Sequence, residues 1–463
     1  MACNYCTNGC PKCVQSYASY KEVNAALKNF TLSDPIAEEC SDPKQLNNWF
    51  RKNEYIPYAG YRHDSQHTVL RFIDNLASLS PTLGGVINSI YYNCFGGKIN
   101  IKKVIDPDFD LGEQNQSELP INDKVNFLNW IKTFDLSGRD WSSLRASLFR
   151  SLKSNGNAWL EVRIYKAMDQ TKTVFKFHPT KNCLYKVPTL FDYKTVAISK
   201  SWETRYLKEN PPEEIPVFPM YEKEKDGSIR TMIHYKLGEN DFYGRPDWWP
   251  CSYDAFLEIK NKEYLLKAAH NNFTGKVFME FSDDLGNSTM TDDEDAQKAG
   301  FKNAHERLAQ NWTDHGDDPT SIIITTRPNS ATPALIHEFN INTNHDYYKA
   351  LDLIATDKII TTNGWSRKLM GLDSATGLST TAFIDELKTK MPLIENFQGI
   401  IDNDILNKAI RFVAEQTMKT EFLETGLESK NPFDHLIKAQ TEFDANKKSE
   451  PMIKQNPDGN NNS

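Results

Sequence analysis

From Met232 to Phe273 the chain reads MIHYKLGENDFYGRPDWWPCSYDAFLEIKNKEYLLKAAHNNF. Met232–Leu237 has the composition of a strand. Tyr243-Gly244-Arg245-Pro246 then marks a turn, because glycine and proline interrupt either regular structure. After Trp248-Trp249-Pro250 a long helical pattern begins. Phe256, Ile259, Leu266, Ala269 and Phe273 fall on one face, Lys260 and Lys267 lie off it, and Glu263 sits near its edge. A strand, a stiff aromatic elbow and a charged amphipathic helix therefore come in succession, and the rest of the chain has to fit around that order.

Before the elbow the pattern is mixed. Residues 1–60 are rich in Cys, Asn and Lys with weak periodicity and read as an arm. Thr68–Cys94 is helical in pattern, and Ser80-Pro81 either breaks it or starts a second helix, since proline suits a first helical turn. Asp140–Ser154 is a further helix, with Trp141, Leu144, Leu148 and Leu152 three and four apart. Asn155-Gly156-Asn157 is a turn, and Ala158–Tyr165 alternates as a strand. On that strand Glu161 and Arg163 share a face and are expected to pair. Val174–Phe177, Cys183–Val187, Thr195–Lys200 and Thr231–Leu237 are strand candidates, so 60–249 is expected to be a mixed α+β domain.

After the elbow helix the pattern predicts a small β-α-β insert. Its strands are Lys276–Phe281 and Ile322–Thr325. Its helix starts at Thr291, with Glu294 completing a capping box, and runs to about Asn311. Asn344–Thr362 is helical, with Tyr347, Leu351, Ile354, Lys358 and Thr361 near one face. Gly364–Ser379 is a loop, and Thr380–Val413 is a helix that Pro392 should kink. The tail from Gln455 is polar and expected to be disordered.

The chain has 463 residues, enough for about three domains. It carries 54 Lys and Arg against 62 Asp and Glu, a net charge of −8. That balance argues against a protein that coats nucleic acid through a large basic surface, though not against one along which DNA must slide without sticking. No apolar run approaches the ~18 residues of a membrane span. The N-terminus lacks the charged and apolar regions of a secretory signal, so a cytoplasmic setting with reduced thiols is expected. The mean hydropathy of −0.60 suits a folded, polar, assembling protein.

Cys3, Cys6, Cys10 and Cys13 form C-x2-C-x3-C-x2-C, which offers four thiolates to a tetrahedral zinc ion. Structural zinc sites usually have a longer loop between the pairs. Reduced thiols, disulfides within the arm and an iron–sulfur cluster are the other readings. Cys40, Cys94, Cys183 and Cys251 are scattered and read as structural. Arg367 and Lys368, beside Trp365, form a basic loop with an aromatic, a composition that touches phosphates and stacks bases, or is simply solvated. Asp283-Asp284 and Asp292-Asp293-Glu294-Asp295 lie at and before the insert's helix, where acids favour the macrodipole. The ten His residues show no metalloprotease spacing. No Walker-type phosphate loop and no G-x-S-x-G occurs. No active site can be assembled, and the chain is expected not to be an enzyme.

Several passages, in order, resemble the portal proteins of tailed bacteriophages. They are Leu79-Ser80-Pro81 with its apolar helix, Asn155-Gly156-Asn157-Ala158-Trp159-Leu160-Glu161-Val162, Ile233-His234-Tyr235 with Tyr243-Gly244-Arg245-Pro246, Ile359–Gly364 with Leu369-Met370-Gly371, Gly377-Leu378-Ser379, and Met391-Pro392. The resemblance covers about 75–410. It implies an arm at 1–60, a wing at 61–249, a first stem helix at 250–273, a clip at 274–343 and a second stem helix at 344–363. A tunnel loop and kinked helix would occupy 364–420, and a small crown with a disordered tail 421–463. It implies a homo-oligomeric ring, typically of twelve subunits, at one capsid vertex. Double-stranded DNA would enter through it, driven by a separate terminase, and leave through it into the tail. The major capsid protein and tail adaptor proteins would be further partners, with no membrane and no required cofactor beyond the zinc the arm could hold. Trp365, Arg367, Lys368, Lys260, Lys267 and Lys358 would face the DNA channel. Asp283, Asp284, Asp292 and Asp293 would form the clip's docking rim. A nucleic-acid- or glycan-acting enzyme, and another virion adaptor or scaffold, are the alternative readings.

Overall fold

The computed structural model describes residues 55–56, 58, 68–103, 119–167, 170–187, 194–202, 204–238, 242–270, 276–282, 322–327, 335–339, 345–372, 380–439 and 442. They form a mixed α+β chain of two compact units. One comprises Met1–Pro250 and Ile360–Ser463, the other Cys251–Ile359.

In the first unit, α1 (Thr68–Leu79) and α2 (Pro81–Phe95) are separate helices. Ser80 caps the second, its hydroxyl accepting from the Leu83 N–H at 3.1 Å, and Pro81 takes the first helical position, where its missing N–H costs nothing. A strand β2 (Ile99–Lys103) and a helix α3 (Ile121–Ile131) come next. Asp140 caps α4 (Trp141–Asn155) by accepting from the Ser143 N–H at 2.6 Å. Leu144, Leu148, Phe149 and Leu152 of α4 are fully buried. Phe149 lies 5.5 Å from Phe95 of α2 and 5.4 Å from Phe397 of α8 (Thr380–Gly399), so three helices meet at one ring.

Two antiparallel sheets flank this core. One has the order β4-β3-β9-β8, from Gln170–His178, Asn157–Ala167, Ile229–Lys236 and Glu222–Lys223. The other has the order β1-β5-β6-β7, from Tyr55–Ile56, Cys183–Lys186, Thr195–Ile198 and Glu213–Pro216. A two-stranded ribbon pairs β2 with β13 (Thr425–Ser429), Leu427 opposite Ile101. A short helix, α5 (Thr204–Glu209), lies between β6 and β7 in sequence.

The second unit contains α6 (Ser252–His270) and most of α7 (His345–Thr362). Between them in sequence lie β10 (Lys276–Ser282), β11 (Ile322–Arg327) and β12 (Leu335–Phe339). β10 and β11 are parallel, as a β-α-β insert requires, while β12 adds an antiparallel strand that the sequence pattern does not announce. The insert's expected helix from Thr291 lies outside the described residues. Contacts fix α6 and α7 as antiparallel. Tyr264 stacks on Tyr348 at 4.8 Å, Asn261 Nδ2 donates to Tyr348 O at 3.1 Å, and Lys358 lies 3.6 Å from Asp254.

Three sequence expectations need correction. Where one continuous helix is expected, α8 holds Pro392 in its interior and then passes at Ile400–Asn407 into a π-helix that leads into α9 (Lys408–Gln416). Glu161 does not pair with Arg163. Its carboxylate takes His178 Nε2 and Arg230 Nε, at 2.7 and 2.6 Å, while Arg163 reaches Glu224 at 2.9 Å. Neighbouring strands supply partners closer than the one two residues away. The predicted faces of α6 and α7 are also not their buried faces. Ala255, Glu258 and Asn261 are buried on α6, whereas Leu266 is 73% exposed. On α7 Ala355 and Ile359 are buried, and Ile354 and Leu353 are about half exposed, at 51% and 46%.

The first unit also buries an ion pair between α4 and the π-helix. Arg145 Nη2 lies 3.2 Å from Asp402 Oδ1, both side chains almost fully enclosed, and the guanidinium sits over the Phe95 ring at 4.9 Å. Removing one member of such a pair strands a desolvated charge. Arg145→Met is expected to lower stability to denaturant by about 3–5 kcal/mol, read as a shift of the urea midpoint at unchanged slope.

Candidate functional site

The strand-to-helix elbow is built on Asn157, the first residue of β3. Gly156 ends α4 with φ +79°, a left-handed conformation that needs glycine, and so turns the chain from helix to strand. A Cβ on Gly156 would come within 2.5 Å of the Arg245 carbonyl carbon, and one on Gly244 within 2.1 Å of Gly156 O. The two glycines thus let the elbow's backbone press against the end of α4. Leu237 N–H donates to Gly156 O at 2.8 Å, which closes the contact.

The Asn157 carboxamide fills the junction. Its Oδ1 accepts from Gly244 N–H at 2.7 Å, and its Nδ2 donates to Asn155 O and Gly244 O at 2.9 and 3.1 Å. Tyr58 OH reaches the same two carbonyls. Because Asn157 Oδ1 already accepts from a backbone amide, His234 Nε2, 3.0 Å away, must be the donor to it. His234 Nδ1 is then the acceptor for Tyr185 OH at 2.6 Å. The imidazole lies flat on Trp159, centroids 3.6 Å apart and planes 6° from parallel. Tyr243 OH donates to Ile56 O and accepts from Tyr185 N–H, each at 2.8 Å. Lys153, fully buried, reaches Asp247 at 2.5 Å, and the Lys153 carbonyl accepts from Trp248 Nε1 at 2.9 Å. Among the described residues, these side chains of the elbow are therefore held by structural partners.

The basic loop starts at Gly364, with φ +63°, and turns again at Gly371, with φ +71°. Trp365 is buried, and its Nε1 donates to Ser89 Oγ at 3.0 Å, so its ring is part of the interior. Ser89 Oγ in turn donates to Leu369 O at 3.3 Å, holding the loop on α2. Tight turns from Arg367 O to Met370 and Leu372 N–H compact it further. Arg367 is half-buried, and Lys368 points to solvent. In the second unit Lys260 lies 3.1 Å from Glu263, and Lys358 is the ion-pair partner of Asp254. These pairs offset the two lysines with carboxylates on the same helix pair.

Cys3, Cys6, Cys10, Cys13, Asp283, Asp284, Asp292 and Asp293 lie outside the described residues, as does the side chain of Lys267. Among the described residues no group of three or more His, Cys, Asp or Glu is arranged to hold a metal ion, and no helix is long and apolar enough to cross a membrane. Cys94, Cys183 and Cys251 are buried, in line with structural thiols. Burial pushes the Cys94 and Cys183 thiols well above their ordinary range.

No family model matches the chain, and no curated protein matches its sequence. Among solved structures, similar chains occur in gene transfer agent (GTA) particles. A chain from the neck of an empty particle, computed with C6 symmetry, has 9% identity and a TM-score of 0.46, over 83% of this chain and 91% of that one. A chain from the neck of the native particle, computed with C12 symmetry, has 10% identity and a TM-score of 0.45, over 83% and 91%. A chain from the native virion has 10% identity and a TM-score of 0.44, over 82% and 90%.

The elbow gives a pH dependence. Burial, with Lys236 and Lys194 nearby, holds the His234 imidazole well below its ordinary range, so the native state carries it neutral. The unfolded chain takes up a proton first as pH falls. The stability contributed is complete above about pH 6.5 and is lost below it, at a slope approaching ~1.4 kcal/mol per pH unit. Urea unfolding of the wild type and of His234→Gln between pH 8 and 5 checks this. The expected outcome is a steeper decline below pH 6.5 in the wild type than in the variant.

Proposed function

We propose that the chain is a structural subunit of a closed ring, the portal at one vertex of a phage-like capsid, and that it performs no catalysis. The observation that carries this reading is the Cys251–Ile359 unit. It is an antiparallel helix pair bearing a three-stranded sheet between its members, entered from an elbow whose residues are those of the portal resemblance. Tyr253 and Leu257 on α6 and Leu353 and Ile354 on α7 are exposed apolar side chains on that pair. A ring of identical subunits would cover such faces by packing each pair against the next.

DNA would pass through the channel under the force of a terminase, and the ring would dock the terminase and later the tail adaptors while seated in the major capsid protein shell. Assembly would take place in the host cytoplasm. The strands between α6 and α7, with Asp283, Asp284, Asp292 and Asp293 beside them in sequence, would be the clip that meets those partners. Arg367 and Lys368 would repeat around the ring as a basic girdle. A weak, exchangeable grip on phosphates is what a moving duplex requires, and screening at physiological salt keeps each contact weak. Zinc in the arm, through Cys3, Cys6, Cys10 and Cys13, would be structural.

Electron microscopy of the purified chain tests the ring: a channelled particle with cyclic symmetry is expected. Monomer and dimer alone across concentration and salt, by mass photometry, would sink the reading. Arg367→Ala with Lys368→Ala is expected to leave the ring intact and to shorten or destabilise the packaged genome, measured as DNA length per particle. Full-length, stably retained genomes would remove the girdle from the mechanism.

A further inference from the structure

The π-helix at Ile400–Asn407 grips a strand edge with two side chains. Asn407 Oδ1 accepts from Leu427 N–H at 2.7 Å, and its Nδ2 donates to Leu427 O at 2.9 Å. Asp402 Oδ2 accepts from Ser429 N–H at 2.6 Å and from Ser429 Oγ at 2.5 Å. Leu427 and Ser429 alternate along β13, so both present backbone groups on the same edge. The opposite edge of β13 pairs with β2. Asp402 and Asn407 are both buried, and Arg145 holds Asp402 from the far side.

The grip depends on the helix type. In an α-helix, residues five apart point about 140° away from each other. Asp402 and Asn407 are five apart, so an α-helix would aim one of them away from the strand. In a π-helix each backbone bond spans five residues, and residues five apart lie one above the other. Lys408 N–H donates to Asn403 O, the five-residue bond that marks this register. π-helices of this length are rare, because the α form is the more favourable one, and an uncommon backbone persists only where its surroundings hold it. A cavity of about 440 Å³ lies beside the segment, between Asn403, Asn407 and Arg411 on one side and Phe218, Leu423 and Thr425 on the other. It leaves room for side chains to turn.

We propose that Ile400–Asn407 is a register switch, held as a π-helix by the grip of Asp402 and Asn407 on the edge of β13 and released to an α-helix when that strand is withdrawn. A slip of one residue turns α8, which ends before Ile400, against α9, which begins after Asn407, by about 100°. Displacement of the β2–β13 ribbon is thereby coupled to rotation of α8. The switch does not depend on the portal reading. Under that reading it would join the basic loop to the C-terminal region.

Hydrogen exchange of the full chain, with high-resolution structures of two variants, tests it. In Asn407→Ala the Leu427 amide is expected to exchange at least tenfold faster, while 400–407 stays protected and becomes α-helical. A variant lacking Asn403 leaves Asp402 and Asn407 four apart, on one face of an α-helix. It is expected to keep wild-type protection at Leu427 and Ser429 with no π-helix. Unchanged exchange at Leu427 in Asn407→Ala would overturn the proposal. So would a π-helix that persists after the grip is gone, joint loss of protection in helix and strand, or loss of strand protection in the variant lacking Asn403.

Discussion

The carboxamide of Asn157 is the interaction on which the rest of the first unit depends. It joins the end of α4, the start of β3, the strand β9 through His234, and the elbow through Gly244. No single backbone ladder could do this, because the four segments approach from different directions. The network is buried and its members satisfy one another, which in a low-dielectric interior strengthens each bond and makes partial loss costly. An apolar residue at 157 would fill the space and deprive Gly244 N–H and His234 Nε2 of the acceptor that Asn157 Oδ1 supplies. The glycines at 156 and 244 serve the same end by removing the Cβ atoms that would hold the segments apart.

The same logic explains what is legible in the sequence. Helices α1, α2 and α4 are readable because their apolar spacing and their caps, Ser80 and Asp140, are local. The strand from Asn157 is readable from its alternation. Asn155-Gly156-Asn157 reads correctly as a turn, but nothing local shows that its side chains are the hub, since Tyr58, Tyr185 and His234 come from distant positions. The pairing expected for Glu161 fails for the same reason: a partner across a strand pair is invisible without the register. The π-helix escapes detection because Ile401, Ile405 and Ala409 are four apart, a spacing that suits 3.6 residues per turn as well as a wider helix.

Charge is arranged in two ways, in enclosed sets and in exposed pairs. The first unit encloses Arg145 with Asp402 and Glu161 with His178 and Arg230, and buries Lys153 against the partly exposed Asp247, while pairs such as Lys102 with Glu428 and Lys186 with Glu214 stay at its surface. Burial works against the Glu161 charge, yet the hydrogen bonds from His178 and Arg230 and the Arg230 charge bring it down to about 2. In the second unit the pairs of Lys260 with Glu263 and Lys358 with Asp254 are partly exposed, and pairs of that kind contribute at most about 1 kcal/mol each. Lys260 and Lys358 are therefore neutralised more than they are anchored.

Buried ion pairs are weak evidence for stability, because an apolar replacement often does as well. Their use here is positional. Asp402 illustrates it, since one carboxylate answers Arg145 on α4 and Ser429 on β13 at once. A leucine at 402 could fill the volume but could not tell one helical register from another, because apolar contact has no direction. A carboxylate can, because it is satisfied only when both partners lie within hydrogen-bond reach. Asn407 repeats the test five residues on, with a donor and an acceptor that must meet Leu427 in one orientation. Two directional groups at a five-residue spacing thus select a helix form that apolar packing alone would not choose. The polarity of the core at this point specifies the geometry of the helix that crosses it.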